Sequence, residues 1–166
     1  MTDFFSEALS KQDRTTFASG NDKIDLYFRD TVSQDVKRRY AACYILVESK
    51  TEKIAGFYTM SSIGIPLTEI PPELARKLPR YPTVPAVLIG WLGRDASFKG
   101  RNIGPRLLYD AISRIASSPV GAHAVFADAI DDAAEEFYRK HQFVSFNSRP
   151  QTLFLPMTTA LGLLSG

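Results

Sequence analysis

An unbroken apolar run from Val84 to Leu92 ends at Gly93, crosses a short polar stretch, and gives way near Gly104 to a helical stripe. This stretch, VPAVLIGWLGRDASFKGRNIGPRLLYDAISRIASS, constrains the fold more than any other. An apolar run without alternation reads as a strand buried on both faces. Ile103, Leu107, Leu108, Ala111, Ile112 and Ile115 recur at helical spacing, so the next element is an amphipathic helix. Strand, loop and helix in that order build a layered α/β fold. Gly100 and Gly104 in the loop let the backbone pass close to a ligand. Unpaired amides at the following helix start can hold phosphate, aided by the helix dipole. Lys99, Arg101 and Arg106 add positive charge. Taken alone, two glycines before a helix also fit a plain turn.

The rest of the chain supplies partners for this unit. GNDKIDLYFRDTVSQDVKRR predicts a helix, with Asn21 as its N-cap and Ile24, Phe28, Val32 and Val36 on one face. AACYILVE and KIAGFYTMSS, joined by the turn SKTE, read as an antiparallel hairpin. PPELARKL reads as a short helix that starts at its prolines. Downstream follow a strand (AHAVFADA), a helix (DDAAEEFYRKH), and two short strands (FVSF and QTLFLPM). The expected fold is α/β (α+β): a mixed, mostly antiparallel central sheet flanked by helices. The 166 residues suit one domain, with a tail from about 157 to 166 that is flexible or contacts a partner.

Composition removes several function classes. Hydrophobic residues make up 45% and charged residues 23%, which argues against disorder. No apolar run approaches the roughly 20 residues of a membrane helix, and the N-terminal segment lacks the pattern of a secretory signal. The lone Cys43 lies in an apolar run and fits a reducing, cytoplasmic setting. A net charge of +2 does not by itself announce a nucleic-acid binder, although basic residues cluster at 37–39, 76–80, 99–106 and 139–140. With two histidines and no Cys/His cluster, no metal site is expected.

LIGWLGRDASFKGRNIGPRLLYDA resembles the acetyl-CoA pyrophosphate loop of the GNAT N-acetyltransferases, written Gln/Arg-x-x-Gly-x-Gly/Ala. Lys99 holds the Gln/Arg place, Asn102 the first Gly and Gly104 the second. Asn is the non-glycine residue that best tolerates a left-handed backbone, while Pro105 withdraws one amide donor. VFADAIDDAAEEFYRKHQFVSF is similar to the superfamily's later strand, helix and Phe-Tyr segment. Here Phe137, Tyr138 and Phe143 fit, and Gln142 stands where Gly is common. FASGNDKIDLYFRD, IAGFYTMSS and LPRYPTVPAVLIGWLGRD resemble the branch that serves as toxins in bacterial toxin–antitoxin modules. That resemblance covers about Phe17 to Pro156. Trp91 stands where the branch commonly has Arg, and Arg94 where it commonly has an apolar residue.

The resemblance implies an enzyme that acetylates the amino group of aminoacyl-tRNA and is silenced by a ribbon-helix-helix antitoxin. A homodimer is also compatible with it. It implies that the backbone at Leu92, Gly93 and Arg94 holds the pantetheine arm and polarises the thioester carbonyl. Lys99, Gly100, Arg101, Asn102, Ile103, Gly104 and Arg106 would take the diphosphate. Tyr138 would donate a proton to the departing thiolate. An α-amine titrates near ~7.7–8.0 and a lysine amine near ~10.4, so an α-amine needs less help from a base. Glu48, Asp128, Asp131 and His141 are candidate bases, each also compatible with a structural role. Two other readings stay open: transfer to a small-molecule, peptide or protein amine, and a catalytically silent acyl-CoA-binding or partner-binding protein.

Overall fold

The computed structural model describes residues 3–165. Its strands are β1 (Phe4–Ala8), β2 (Ala42–Glu48), β3 (Ile54–Pro66), β4 (Thr83–Arg94), β5 (Ala124–Asp128), β6 (Val144–Ser145) and β7 (Thr152–Pro156). They form one seven-stranded sheet in the order β1-β2-β3-β4-β5-β7-β6. The β1–β2, β2–β3, β5–β7 and β6–β7 pairs are antiparallel. The helices are α1 (Asp22–Leu26), α2 (Val32–Lys37), α3 (Pro72–Ala75), α4 (Ile103–Ser117), α5 (Asp132–Lys140) and α6 (Met157–Ser165). The expected mixed, mostly antiparallel sheet with flanking helices is the fold observed.

The chain forms two compact units. The first comprises the residues up to Ser61 with Ile89–Ala111, and the second comprises Ser62–Leu88 with the residues from Ile112 onward. In the first, Phe17, Phe28 and Phe57 make an aromatic core, with Phe28 stacked on Phe57 at 4.1 Å. The FASGN segment enters this core in a defined way. Phe17 is buried, Ser19 donates to the buried Asp25 carboxylate from its amide (2.8 Å) and its hydroxyl (2.7 Å), and Asn21 caps α1 by accepting from the Lys23 and Ile24 amides. In the second unit, Ile65, Val84, Ala86, Ala124, Phe126, Phe146 and Phe154 cluster. The predicted stripe of α4 is buried along its whole length, from Ile103 to Ile115.

Four local features differ from the sequence reading. Phe4–Ala8 forms an edge strand that the polar N-terminal composition did not announce. The first long helix is divided by a π-helical turn at Tyr27–Thr31, where the chain carries one wider turn. β4 is not buried on both faces: Thr83 and Pro85 are exposed and its middle is half-buried. The tail forms a helix, α6, with Ala160 buried.

Candidate active site

The first unit carries all the expected coenzyme residues in one continuous path from the end of β4 to the start of α4. Gly93 is buried there, and a Cβ would lie 2.7 Å from Cγ2 of Ile24 and 2.9 Å from Cε1 of Phe57. Only glycine lets the strand backbone come this near α1 and β3. Further up the strand, the Trp91 amide donates to Oγ1 of Thr59 at 3.1 Å, and the Trp91 ring stacks on Tyr27 at 4.2 Å. Nε of Arg94 is buried without a hydrogen-bond partner among the described residues. An unsatisfied buried donor in a native fold marks a place for an acceptor.

Asp95 then fastens the strand end. Its buried carboxylate accepts from the Ala18 amide (3.1 Å), the Ser97 amide (2.9 Å) and the Ser97 hydroxyl (2.6 Å). Its own amide donates to the Ala55 carbonyl at 2.8 Å. These bonds set the direction in which the chain leaves β4 for the 3₁₀ turn at Ala96–Phe98.

The loop itself takes the left-handed backbone twice. Gly100 has φ 82° and Asn102 has φ 59°, so the asparagine adopts the conformation usual for the glycine it replaces. α4 begins immediately after. The Arg106 amide is bonded to the Asn102 carbonyl, Pro105 has no amide hydrogen, and the amides of Ile103 and Gly104 have no partner among the described residues. Two unpaired amides at the start of a fifteen-residue helix are the kind of donors that suit an anion. Lys99 is exposed beside them. Arg101 and Arg106 are engaged elsewhere: the Arg101 guanidinium pairs with Glu48 at 2.6 Å, and both arginines lie over the Phe4 ring, at 4.9 Å and 5.1 Å.

Tyr138 belongs to the second unit, near the end of α5. Asp131 caps that helix by accepting from the Ala134 amide at 2.8 Å. At the other end the Phe143 amide returns to the Tyr138 carbonyl at 3.1 Å, and Gln142 sits at φ 71° in the position where glycine commonly ends a helix. The Tyr138 side chain is 3% exposed and packs against Phe137 and Phe143. Its hydroxyl makes no hydrogen bond among the described residues. A buried phenol usually finds a partner, so a hydroxyl without one is available to an incoming group. Burial first, and then the negative charge of Asp128, push the Tyr138 phenol well above its usual range. The group is therefore a permanently protonated donor at neutral pH.

The candidate bases are all occupied. Glu48 accepts from Thr51 (2.7 Å) as well as Arg101, and these bonds hold its carboxyl below the usual range. Asp131 is the cap of α5, Asp128 accepts from Oγ1 of Thr152 at 2.9 Å, and Nδ1 of His141 is bonded to the Phe137 carbonyl at 2.9 Å. Cys43 is buried in β2, with its thiol pushed up to about 12 by burial. Reading the sequence missed the fastening by Asp95 and the Glu48–Arg101 pair. A single acidic residue after a strand carries no pattern, and the pair joins residues far apart in the chain.

No family model matches the chain. It is 30% identical over 154 residues to the tRNA-acetylating toxin of Mycobacterium tuberculosis, covering 92% of this chain and 90% of that protein. It is 28% identical over 164 residues to the probable toxin TacT of Sinorhizobium fredii, covering 93% and 91%. Among solved structures, AtaT complexed with acetyl-methionyl-tRNAfMet superposes with a TM-score of 0.84 at 25% identity, covering 99% of this chain and 100% of AtaT. AtaTR bound with AcCoA gives the same TM-score and identity, covering 98% of this chain and 99% of that one. The chain therefore shares its fold along nearly its whole length with such enzymes, and it belongs to the family of GNAT-type tRNA-acetylating toxins.

Proposed function

We propose that this chain transfers the acetyl group of acetyl-CoA to the α-amine of an aminoacyl-tRNA and thereby blocks translation. Acetyl-CoA supplies the acyl group as a reactive thioester. The observation that carries the chemistry is Tyr138: a buried side chain whose protonated hydroxyl has no hydrogen-bond partner among the described residues. A proton held at that oxygen neutralises a departing thiolate, which titrates near ~8.5, and keeps it from attacking in reverse. Burial makes the phenol a weaker acid than usual, so the transfer is uphill and the proton moves as the thiolate departs rather than before it.

The coenzyme-binding assignment rests on the first unit. Amides of Ile103 and Gly104 and the charge of Lys99 suit a diphosphate, while the backbone of Leu92, Gly93 and Arg94 suits an amide-bearing arm. Gly100 and Asn102 shape the loop, and Arg101 and Arg106 set two guanidinium groups over Phe4 beside it, the first paired with Glu48. The occupied carboxylates favour an acceptor that needs no strong base, and an α-amine near ~7.7–8.0 is such an acceptor. We read residues 1–166 as one catalytic domain acting in the cytoplasm, where charged tRNA is found, held silent by a ribbon-helix-helix antitoxin and assembling as a homodimer.

Transfer of label from radiolabelled acetyl-CoA to charged tRNA tests the reading, with uncharged tRNA and a lysine peptide as controls. Label on charged tRNA alone is the expected result. Label on the peptide, or on nothing while coenzyme still binds, would overturn it.

A further inference from the structure

Resting on the reading of Lys99–Arg106 as a diphosphate loop, we propose that Glu48 is a positioning residue for coenzyme binding that acts through Arg101. Glu48 ends β2, and its carboxylate is fixed before Arg101 reaches it. One oxygen accepts from Oγ1 of Thr51 at 2.7 Å, and the Glu48 backbone is tied into the β2–β3 turn through Lys53 and Glu52. The other oxygen takes Nη1 of Arg101 at 2.6 Å. Arg101 is held on its remaining sides by two rings, Phe4 at 4.9 Å and Phe98 at 5.4 Å, which themselves meet edge to face. Cation–ring contact and ion pair thus act on one guanidinium at once.

The position of Arg101 in the chain gives this brace its consequence. The residue lies between left-handed Gly100 and left-handed Asn102, directly before the unpaired amides of Ile103 and Gly104. Anchoring its side chain to β1 and β2 fixes the path of the backbone that presents those amides. Phe4 also carries the Arg106 guanidinium, so two like charges share one ring and Glu48 is the counter-charge that lets them do so. The competing arrangement, in which Glu48 merely withholds Arg101 from phosphate, predicts the opposite sign when Glu48 is neutralised.

Calorimetric binding of coenzyme A and of pantetheine, which lacks the diphosphate, separates the two. Glu48→Gln is expected to weaken coenzyme A about threefold to tenfold, the range for a partly exposed pair backed by ring contacts. Pantetheine affinity and kcat at saturating acetyl-CoA should hold. Phe4→Leu should act in the same direction, and Glu48→Gln should add nothing in an Arg101→Gln background. Unchanged or tighter coenzyme A binding overturns the proposal. So does equal weakening of both ligands, or a full further loss in the Arg101→Gln background. If the unaltered chain binds no coenzyme A, the coenzyme reading itself falls, and this inference with it.

Discussion

In the proposed reaction the working groups between Gly93 and Arg106 are backbone amides at a helix start, whereas in α5 the working group is one phenol oxygen. Backbone amides belong to every residue except proline, so the loop keeps its function when side chains change, provided the path is kept. Asn102 at φ 59° is the direct example, since it replaces a glycine and leaves the left-handed turn intact. A phenol oxygen belongs to one residue type. Burial and the charge of Asp128 push its pKa further above the neutral range, and an amide cannot take over this role. On the proposed reading, binding is distributed and tolerant, while proton donation is concentrated and intolerant.

The sharpest way to break this contrast is Tyr138→Phe. It should lower kcat by about 100-fold or more with coenzyme affinity unchanged, as for loss of a general acid. Steady-state rates with coenzyme binding measured in parallel would check it, and an unchanged kcat would remove Tyr138 from the mechanism. Asp95→Ala comes next. It leaves two amides and a hydroxyl without their buried acceptor and should cost about 2 kcal/mol of stability in urea unfolding. A smaller loss would mean that the strand end is held by its neighbours instead.

Asn102→Val places a β-branched side chain where φ is positive, which should weaken coenzyme A about tenfold. Asn102→Gly should stay within about threefold of the unaltered chain. If both weaken equally, the asparagine side chain matters and the loop is less tolerant than argued. The pH profile is a gentler test. Because burial raises the Tyr138 phenol, its acid form persists as pH rises, so kcat with a stable aminoacyl-amide acceptor should not fall before about pH 10. An alkaline limb near pH 8 that Tyr138→Phe abolishes would contradict the weakened acidity of the buried phenol. The smallest effect belongs to Cys43: buried, with its thiol pushed up to about 12, it should resist iodoacetamide at pH 8 and leave activity unchanged.

The legible parts of the fold were those governed by local rules. Asn21 could be placed as a helix cap because a short polar side chain before a periodic run has one strong use. The α4 stripe was legible because six apolar residues repeat at helical spacing. Phe4–Ala8 was not, because FFSEA has no β pattern of its own and becomes a strand only when β2 pairs with it. The half-exposure of β4 was hidden because apolar residues also fill its outward positions. A π turn leaves the same residues on the helix and shifts only their register, so Tyr27–Thr31 gave no sign. For the proposed site, the loop and the tyrosine come from motif resemblance. The engagement of Arg101 with Glu48 was not legible, since no periodicity links a strand end to a loop so distant in sequence.

Asn102 and Gln142 both hold left-handed turns without glycine, at φ 59° and 71°. Holding such a turn with a side chain costs on the order of 1 kcal/mol in the folded chain. It also removes much of the freedom a glycine would keep in the unfolded chain, worth about 0.4–1 kcal/mol in return. The two nearly cancel in stability but not in entropy on binding. A loop whose wandering is already curtailed at folding has less disorder to surrender when a ligand arrives, so its affinity should depend weakly on temperature-driven loop motion.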